Sequence, residues 1–170
     1  MNGAGRPRAV VITVSDRCSR AEAEDLSGPL AATLLAQFGI VVDPVVVVPD
    51  GVLPVRSAIE AAVSCGSALV LTTGGTGVAT RDWTPEATAP LLDMRLDGLA
   101  DAIRRQGTSH VPTALLSRGL VGIIGRGPDA TFVVNAPGSP DGVRDAVAVL
   151  GPLFGHLREQ LAGGDHPHLR

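Results

Sequence analysis

The chain has 170 residues, a formal net charge of −3, and 45% hydrophobic but only 2% aromatic residues. That length suits one domain with a sizeable core, which must be built from Val, Leu, Ile and Ala. The acidic balance and the scarcity of rings exclude both the electrostatic footprint and the stacking surface of a nucleic-acid binder.

Residues 9–14 form a short β-branched run that predicts a buried strand. Ser27 offers an N-cap and Pro29 a first-turn residue. Leu30, Leu34 and Phe38 follow at helical spacing, and Gly39 supplies the stop. Residues 40–48 read as one further strand. Pro54 opens a helix with Val55, Ile59 and Val63 on one face, ended near Gly66, and residues 68–72 are a third buried strand. Strands alternating with helices imply right-handed crossovers and a three-layer α/β/α fold around a mostly parallel sheet. The second half predicts helices over 85–92 and 98–106, and strands over 120–124 and 131–134 joined by a turn at 125–129. Ser139 and Pro140 start a last helix with Val143, Val147 and Leu150, which Pro152 kinks or interrupts before 153–161. Residues 163–170 read as a frayed tail. With no linker or internal repeat, residues 1–170 form a single domain with a core of about 8–161.

The sequence contains no lysine. This excludes a Walker A loop and Schiff-base chemistry. Any cation facing a phosphate must be arginine, a metal ion or a helix N-terminus. Cys18 and Cys65 make no disulfide framework. Residues 1–8 lack a signal-like apolar core, and no apolar run reaches membrane-spanning length. The expectation is a soluble cytoplasmic protein with no membrane or nucleic-acid partner.

Ligands of open parallel sheets sit outside the carboxyl ends of the strands, so the strand-end loops carry the candidates. The first contains Ser15, Asp16 and Arg17, then Asp25, Ser27 and Gly28 at a helix mouth. Two readings stay open there: an anion site on free N–H groups, or side chains that simply cap the helix. The second contains Asp50, a turn residue unless its strand is central. The third runs Thr72-Thr73-Gly74-Gly75-Thr76-Gly77, then Arg81-Asp82-Trp83-Thr84-Pro85-Glu86-Ala87. Its glycines allow positive φ and close backbone approach, and successive N–H groups form an anion nest. A carboxylate beside a phosphate nest needs an intervening cation. Asp82 is therefore a candidate Mg²⁺ ligand with Arg81 a phosphate clamp, or the two are a surface ion pair. Trp83 packs the loop or walls a pocket. The fourth loop is Asn135-Ala136-Pro137-Gly138-Ser139-Pro140, where Ser139 is an N-cap or faces an anion. Cys18 is a small thiol or a nucleophile without a nearby histidine. His110 and His156 are isolated, and His166 and His168 lack a zinc-site pattern.

Taken together, these loops resemble the MogA/MoaB family, whose domain is shared with gephyrin. The resemblance spans about residues 8–161. Its strongest element is residues 72–87. Ser15-Asp16-Arg17 with Asp25-x-Ser27-Gly28, Leu116-Ser117-Arg118-Gly119 and residues 135–140 support it. It implies a homotrimer that binds molybdopterin and Mg-ATP and transfers AMP to molybdopterin with release of pyrophosphate. It further implies catalytic, Mg²⁺-binding roles for Asp50 and Asp82. Ser15, Asp16, Arg17, Ser27, Gly28, Thr73, Gly74, Gly75, Thr76, Gly77, Arg81, Thr84, Glu86, Asn135, Pro137, Gly138 and Ser139 are then candidate substrate or nucleotide contacts. A molybdenum insertase would be the downstream partner. Two positions depart from the family. Ala21 stands where glycine is usual and would reshape its loop tip. Asp141 stands where lysine is frequent, exchanging a cation for an anion. These leave open a pterin-binding paralogue without catalysis, or an oligomeric scaffold.

Overall fold

Side-chain alternation along the strands decides the architecture. The computed structural model describes residues 6–164. On the strand Arg8–Val14 (β1), Ala9 and Val11 enter one core cluster while Ile12 and Val14 enter another. The strand Leu69–Thr73 (β4) divides in the same way, with Leu69 and Leu71 opposite Val70. So does Thr131–Ala136 (β7), with Phe132 and Val134 opposite Val133. Strands buried on both faces require helices on both faces. Ser27–Ala36 (α2), Asp97–Thr108 (α5) and Pro140–Leu161 (α6) cover one side, and Val52–Ser64 (α3) and Thr84–Thr88 (α4) the other. The three-layer expectation is met.

The remaining elements are Asp16–Ser19 (α1), Val41–Val42 (β2), Val46–Val48 (β3), Met94–Arg95 (β5) and Val121–Ile124 (β6), with 3₁₀ turns at Ala89–Leu91 and Pro112–Leu116. The seven-stranded sheet runs β2-β1-β4-β7-β6-β5, with β3 also pairing to β1. Pairings among β1, β2, β3, β4 and β7 are parallel. β6 pairs antiparallel with both β7 and β5, so β6 alone runs against the other strands. A few residues join β6 to β7, too few for the crossover a parallel pair needs.

Several boundaries differ from the sequence reading. The strand expected over 40–48 is two strands on the sheet edge, half exposed rather than buried. Register on β1 advances by one residue between them, from Ala9 opposite Val42 to Ile12 opposite Val46. Pro44 lies in the gap and has no N–H for the ladder. The helix expected over 85–92 ends at Thr88 and tightens into the 3₁₀ turn Ala89–Leu91, where Pro90 has no N–H to continue the α-helical ladder. The two-residue β5 carries no periodic signal. At the last helix, α6 runs unbroken through Pro152. Buried Leu150 and Phe154 anchor it on both sides, while Pro152 itself faces solvent. Residues 165–170 of the expected tail, with His166 and His168, lie outside the described residues.

Candidate active site

Because β1, β3, β4 and β7 are mutually parallel, the loops after Val14, Val48, Thr73 and Ala136 gather at one edge of the sheet. Backbone-directed bonds lock them together. The Asp16 N–H donates to Asp50 Oδ2 (2.9 Å) and the Asp50 N–H donates to Asp16 Oδ1 (3.1 Å). Thr73 Oγ1 donates to the Pro137 carbonyl and Ser27 Oγ to the Gly138 carbonyl, each at 2.8 Å. Gly74 and Gly75 have φ of +107° and +63°. A Cβ on Gly74 would stand 2.2 Å from the Val14 carbonyl oxygen, and one on Gly75 2.4 Å from Thr84 Oγ1. Conformation and space both demand glycine at these two positions.

Two cavities open on this edge, and Gly74, Gly75, Asp82 and Gly138 line both. The smaller, about 400 Å³, is charged: Asp16, Asp25, Asp50 and Asp82 face it together with Arg17 and Arg81, with Ser15, Ser27 and Thr73 at its wall. The larger, about 550 Å³, lies between the glycine loop and the α5–α6 pair. Thr76, Gly77, Pro137 and Ser139 line it on the loop side, and Ile103, Val111 and Ala114 on the helix side.

Asp82 sits where the cavities meet. Its Oδ2 accepts the Ala79 N–H at 2.9 Å, which pins the turn, and Oδ1 has no partner among the described residues. The surface-pair reading with Arg81 is not realised. Arg81 and Arg17 stand outside every ion pair among the described residues. Asp50 follows the edge strand β3 rather than a central one, and the bonds to Asp16 hold it at the cavity with Oδ1 unbonded among the described residues. Trp83 is half exposed and forms no wall of either cavity.

The loop is held from behind by Arg118, whose role sequence reasoning missed. Its Nε donates to the Gly77 carbonyl and its Nη2 to the Asp82 carbonyl, both at 2.7 Å, and Nη1 pairs with Glu86 Oε1. The Arg118 hydrogen bond is the main cause holding the Glu86 carboxyl below its ordinary range, which burial opposes. Thr84 donates its hydroxyl to the Gly74 carbonyl (2.8 Å). Asn135 donates to Thr72 and Thr88 and accepts from the Leu120 N–H. Thr84, Glu86, Asn135 and Gly28 therefore lie behind the cavities, not on them. Their hydrogen bonds hold the loops together.

The ambiguous helix starts are resolved. Asp25 Oδ1 accepts from the N–H groups of Ser27 (3.1 Å) and Gly28 (2.9 Å). The first turn of α2 is thus already occupied by a carboxylate and offers no free anion site there. Ser27 is not the N-cap. Ser139 is, accepting the Gly142 N–H at 3.1 Å, while still lining the larger cavity. Asp141 is exposed near Arg144 in the same turn. Ala21 adopts the left-handed conformation that glycine favours, with φ +57°.

The chain matches, over residues 10–156, the family model described as "Probable molybdopterin binding domain". A molybdenum cofactor biosynthesis bifunctional protein of Synechococcus elongatus is 40% identical over 158 residues, 93% of this chain and 48% of that protein. The chain thus spans about half the length of this relative. A molybdopterin adenylyltransferase of Pyrococcus furiosus is 38% identical, with 86% of each chain covered. Among solved structures, a molybdopterin biosynthesis protein from Mycobacterium abscessus superposes with a TM-score of 0.85 at 47% identity, covering 92% of this chain and 97% of that one. A fold built of these loops, matched along nearly its whole length, places the chain in the molybdopterin-binding domain family, with the α/β architecture of MogA and MoaB.

Proposed function

We propose that the chain is a molybdopterin adenylyltransferase of molybdenum-cofactor biosynthesis. The observation that carries this reading is the pair of cavities meeting at Asp82, Gly74 and Gly138. Two substrates held on either side of one loop can bring a phosphate oxygen against the α-phosphorus of ATP. The terminal phosphate of molybdopterin forms the new O–P bond, the bond to the β-phosphate breaks, and pyrophosphate leaves. The nucleophile is already ionised at neutral pH, so orientation and charge neutralisation dominate over proton transfer.

Arg17 and Arg81 neutralise phosphate charge in a chain without lysine. The free Oδ1 atoms of Asp50 and Asp82 are hard donors that fit Mg²⁺. Among the described residues no three acidic, His or Cys side chains converge as a metal site. Two carboxylates suffice for an ion that arrives with the nucleotide phosphates. Such an ion would supply electrostatic stabilisation of the transferring phosphoryl group. A homotrimer delivering its product to a molybdenum insertase completes the proposal. One observation favours the second reading, a pterin binder without catalysis: Asp141 adds an anion at the larger cavity.

The test is pyrophosphate release from ATP and molybdopterin with Mg²⁺. Wild type should turn over, and Asp82→Asn should lower the rate about 100-fold or more, the scale of losing one preorganised electrostatic contact. Pterin binding without any pyrophosphate release by wild type would sink the transferase reading and leave the second one.

A further inference from the structure

The larger cavity holds a charge that the proposed reaction leaves unused. Asp145 projects from α6 with only 9% of its side chain exposed. Among the described residues its one polar partner is the exposed His110, whose Nε2 stands 3.6 Å from Oδ1. That is beyond hydrogen-bond reach. Its oxygens are not sealed in, since Glu86 Oε2 is the one buried and unbonded side-chain atom among the described residues, so the carboxylate opens on the cavity and can accept a ligand's donors. The surroundings leave room for one. Ile103, Val111 and Ala114 form apolar walls. Gly107 on α5 presents no side chain, and a Cβ there would stand 3.5 Å from Asp145 Oδ2 and 2.7 Å from Ala114 Cβ. The result is a cavity with apolar walls in which Asp145 is a little-exposed carboxylate, with Arg104, His110 and Asp141 also on the lining.

A carboxylate pairs best with a planar group offering two parallel N–H donors. The 2-amino-4-oxopyrimidine ring of a pterin does so through N3–H and the 2-amino group. Adenine sets its amino donor beside the N1 acceptor and cannot. We infer that Asp145 is the residue that reads this amino-pyrimidinone edge, so that the larger cavity takes the pterin and the charged cavity the nucleotide phosphates. The inference rests on the adenylyltransferase reading and adds its substrate-discriminating residue.

The experiment titrates the full chain with pterin-6-carboxylate, with lumazine-6-carboxylate, which carries an oxo group in place of the 2-amino donor, and with Mg-ADP. Wild type should bind the pterin about tenfold or more tighter than the lumazine, because a site built for a donor rejects an analogue lacking it. Asp145→Asn should bring pterin affinity down to the lumazine level while Mg-ADP affinity stays within about twofold. A purely structural Asp145 would weaken all three ligands alike. The wild-type comparison of the two pteridines needs no variant and holds even if Asp145→Asn folds poorly. Equal binding of both pteridines alongside intact pyrophosphate release overturns the inference alone, as does an Asp145→Asn protein that still discriminates. Failure of wild type to bind either pteridine or Mg-ADP overturns the adenylyltransferase reading with it.

Discussion

At the scale of single residues, Ala21 is the clearest point of stored strain. It is the one non-glycine residue with positive φ among those described, at +57°. Its N–H closes on the Cys18 carbonyl at 3.0 Å, and the next N–H closes on the Arg17 carbonyl at 2.8 Å, ending α1. The turn therefore requires this conformation whatever side chain sits there. A left-handed alanine costs about 1–2 kcal/mol. Glycine would remove that cost but give the unfolded chain about 0.4–1 kcal/mol more entropy. The first effect wins, so Ala21→Gly should stabilise the protein by about 0.5–1 kcal/mol, read as a higher urea midpoint at unchanged m-value. A lowered midpoint would mean that the alanine methyl makes a compensating contact. The substitution adjoins Arg20, which lines the charged cavity, so the same protein also reports whether loop rigidity matters for nucleotide binding.

At the scale of elements, most of the fold was legible because two signals coincide: apolar periodicity and turn chemistry. β1 carries a β-branched run over residues 10–14, β4 and β7 are short buried runs with Val and Thr, and α3 carries Val55 and Ile59 on its buried face. What stayed hidden had no local signal. β5 is two residues long and exists only through pairing with β6. Arg118 and Asp145 are single charges whose partners lie distant in sequence. For Asp145 there was one clue, its place between Val143 and Val147 on the inward face of α6. Pro152 was overread as a break. Its missing N–H leaves the Ala148 carbonyl unbonded in the helix, but Ala148 is exposed and water can serve it. Proline in a helix interior costs about 3 kcal/mol against alanine. Solvation of that carbonyl and the extra unfolded-state entropy of alanine offset part of it. Pro152→Ala should raise stability by about 1–2 kcal/mol, or roughly 2–8 °C in melting temperature for a domain of this size. An unchanged melting temperature would show that α6 gains nothing from a restored bond at this exposed turn.

At the scale of the whole molecule, the surface is more apolar than a small monomer needs. Leu53, Val78, Leu115 and Leu26 are each more than 60% exposed, and Val111 and Leu116 are about half exposed. Scattered single residues would be unremarkable. Here Val111, Leu115 and Leu116 follow one another around the Pro112–Leu116 turn, and Val111 and Leu116 also line the larger cavity. An apolar rim beside a ligand cavity is the kind of surface that a neighbouring subunit covers. The homotrimer expected from the family resemblance would use it, and the pterin side of the site would then be completed by assembly. Light scattering on wild type should give three times the 17.3 kDa chain mass. Leu115→Asp should shift the protein toward monomer, because a charge buried in an apolar interface costs several kcal/mol unless paired. Its far-ultraviolet circular dichroism should stay unchanged, since Leu115 lies outside both core clusters. A wild-type monomer at micromolar concentration would overturn the trimer. A trimer unmoved by Leu115→Asp would instead put the contact on another face, with Leu53 on α3 the next position to test.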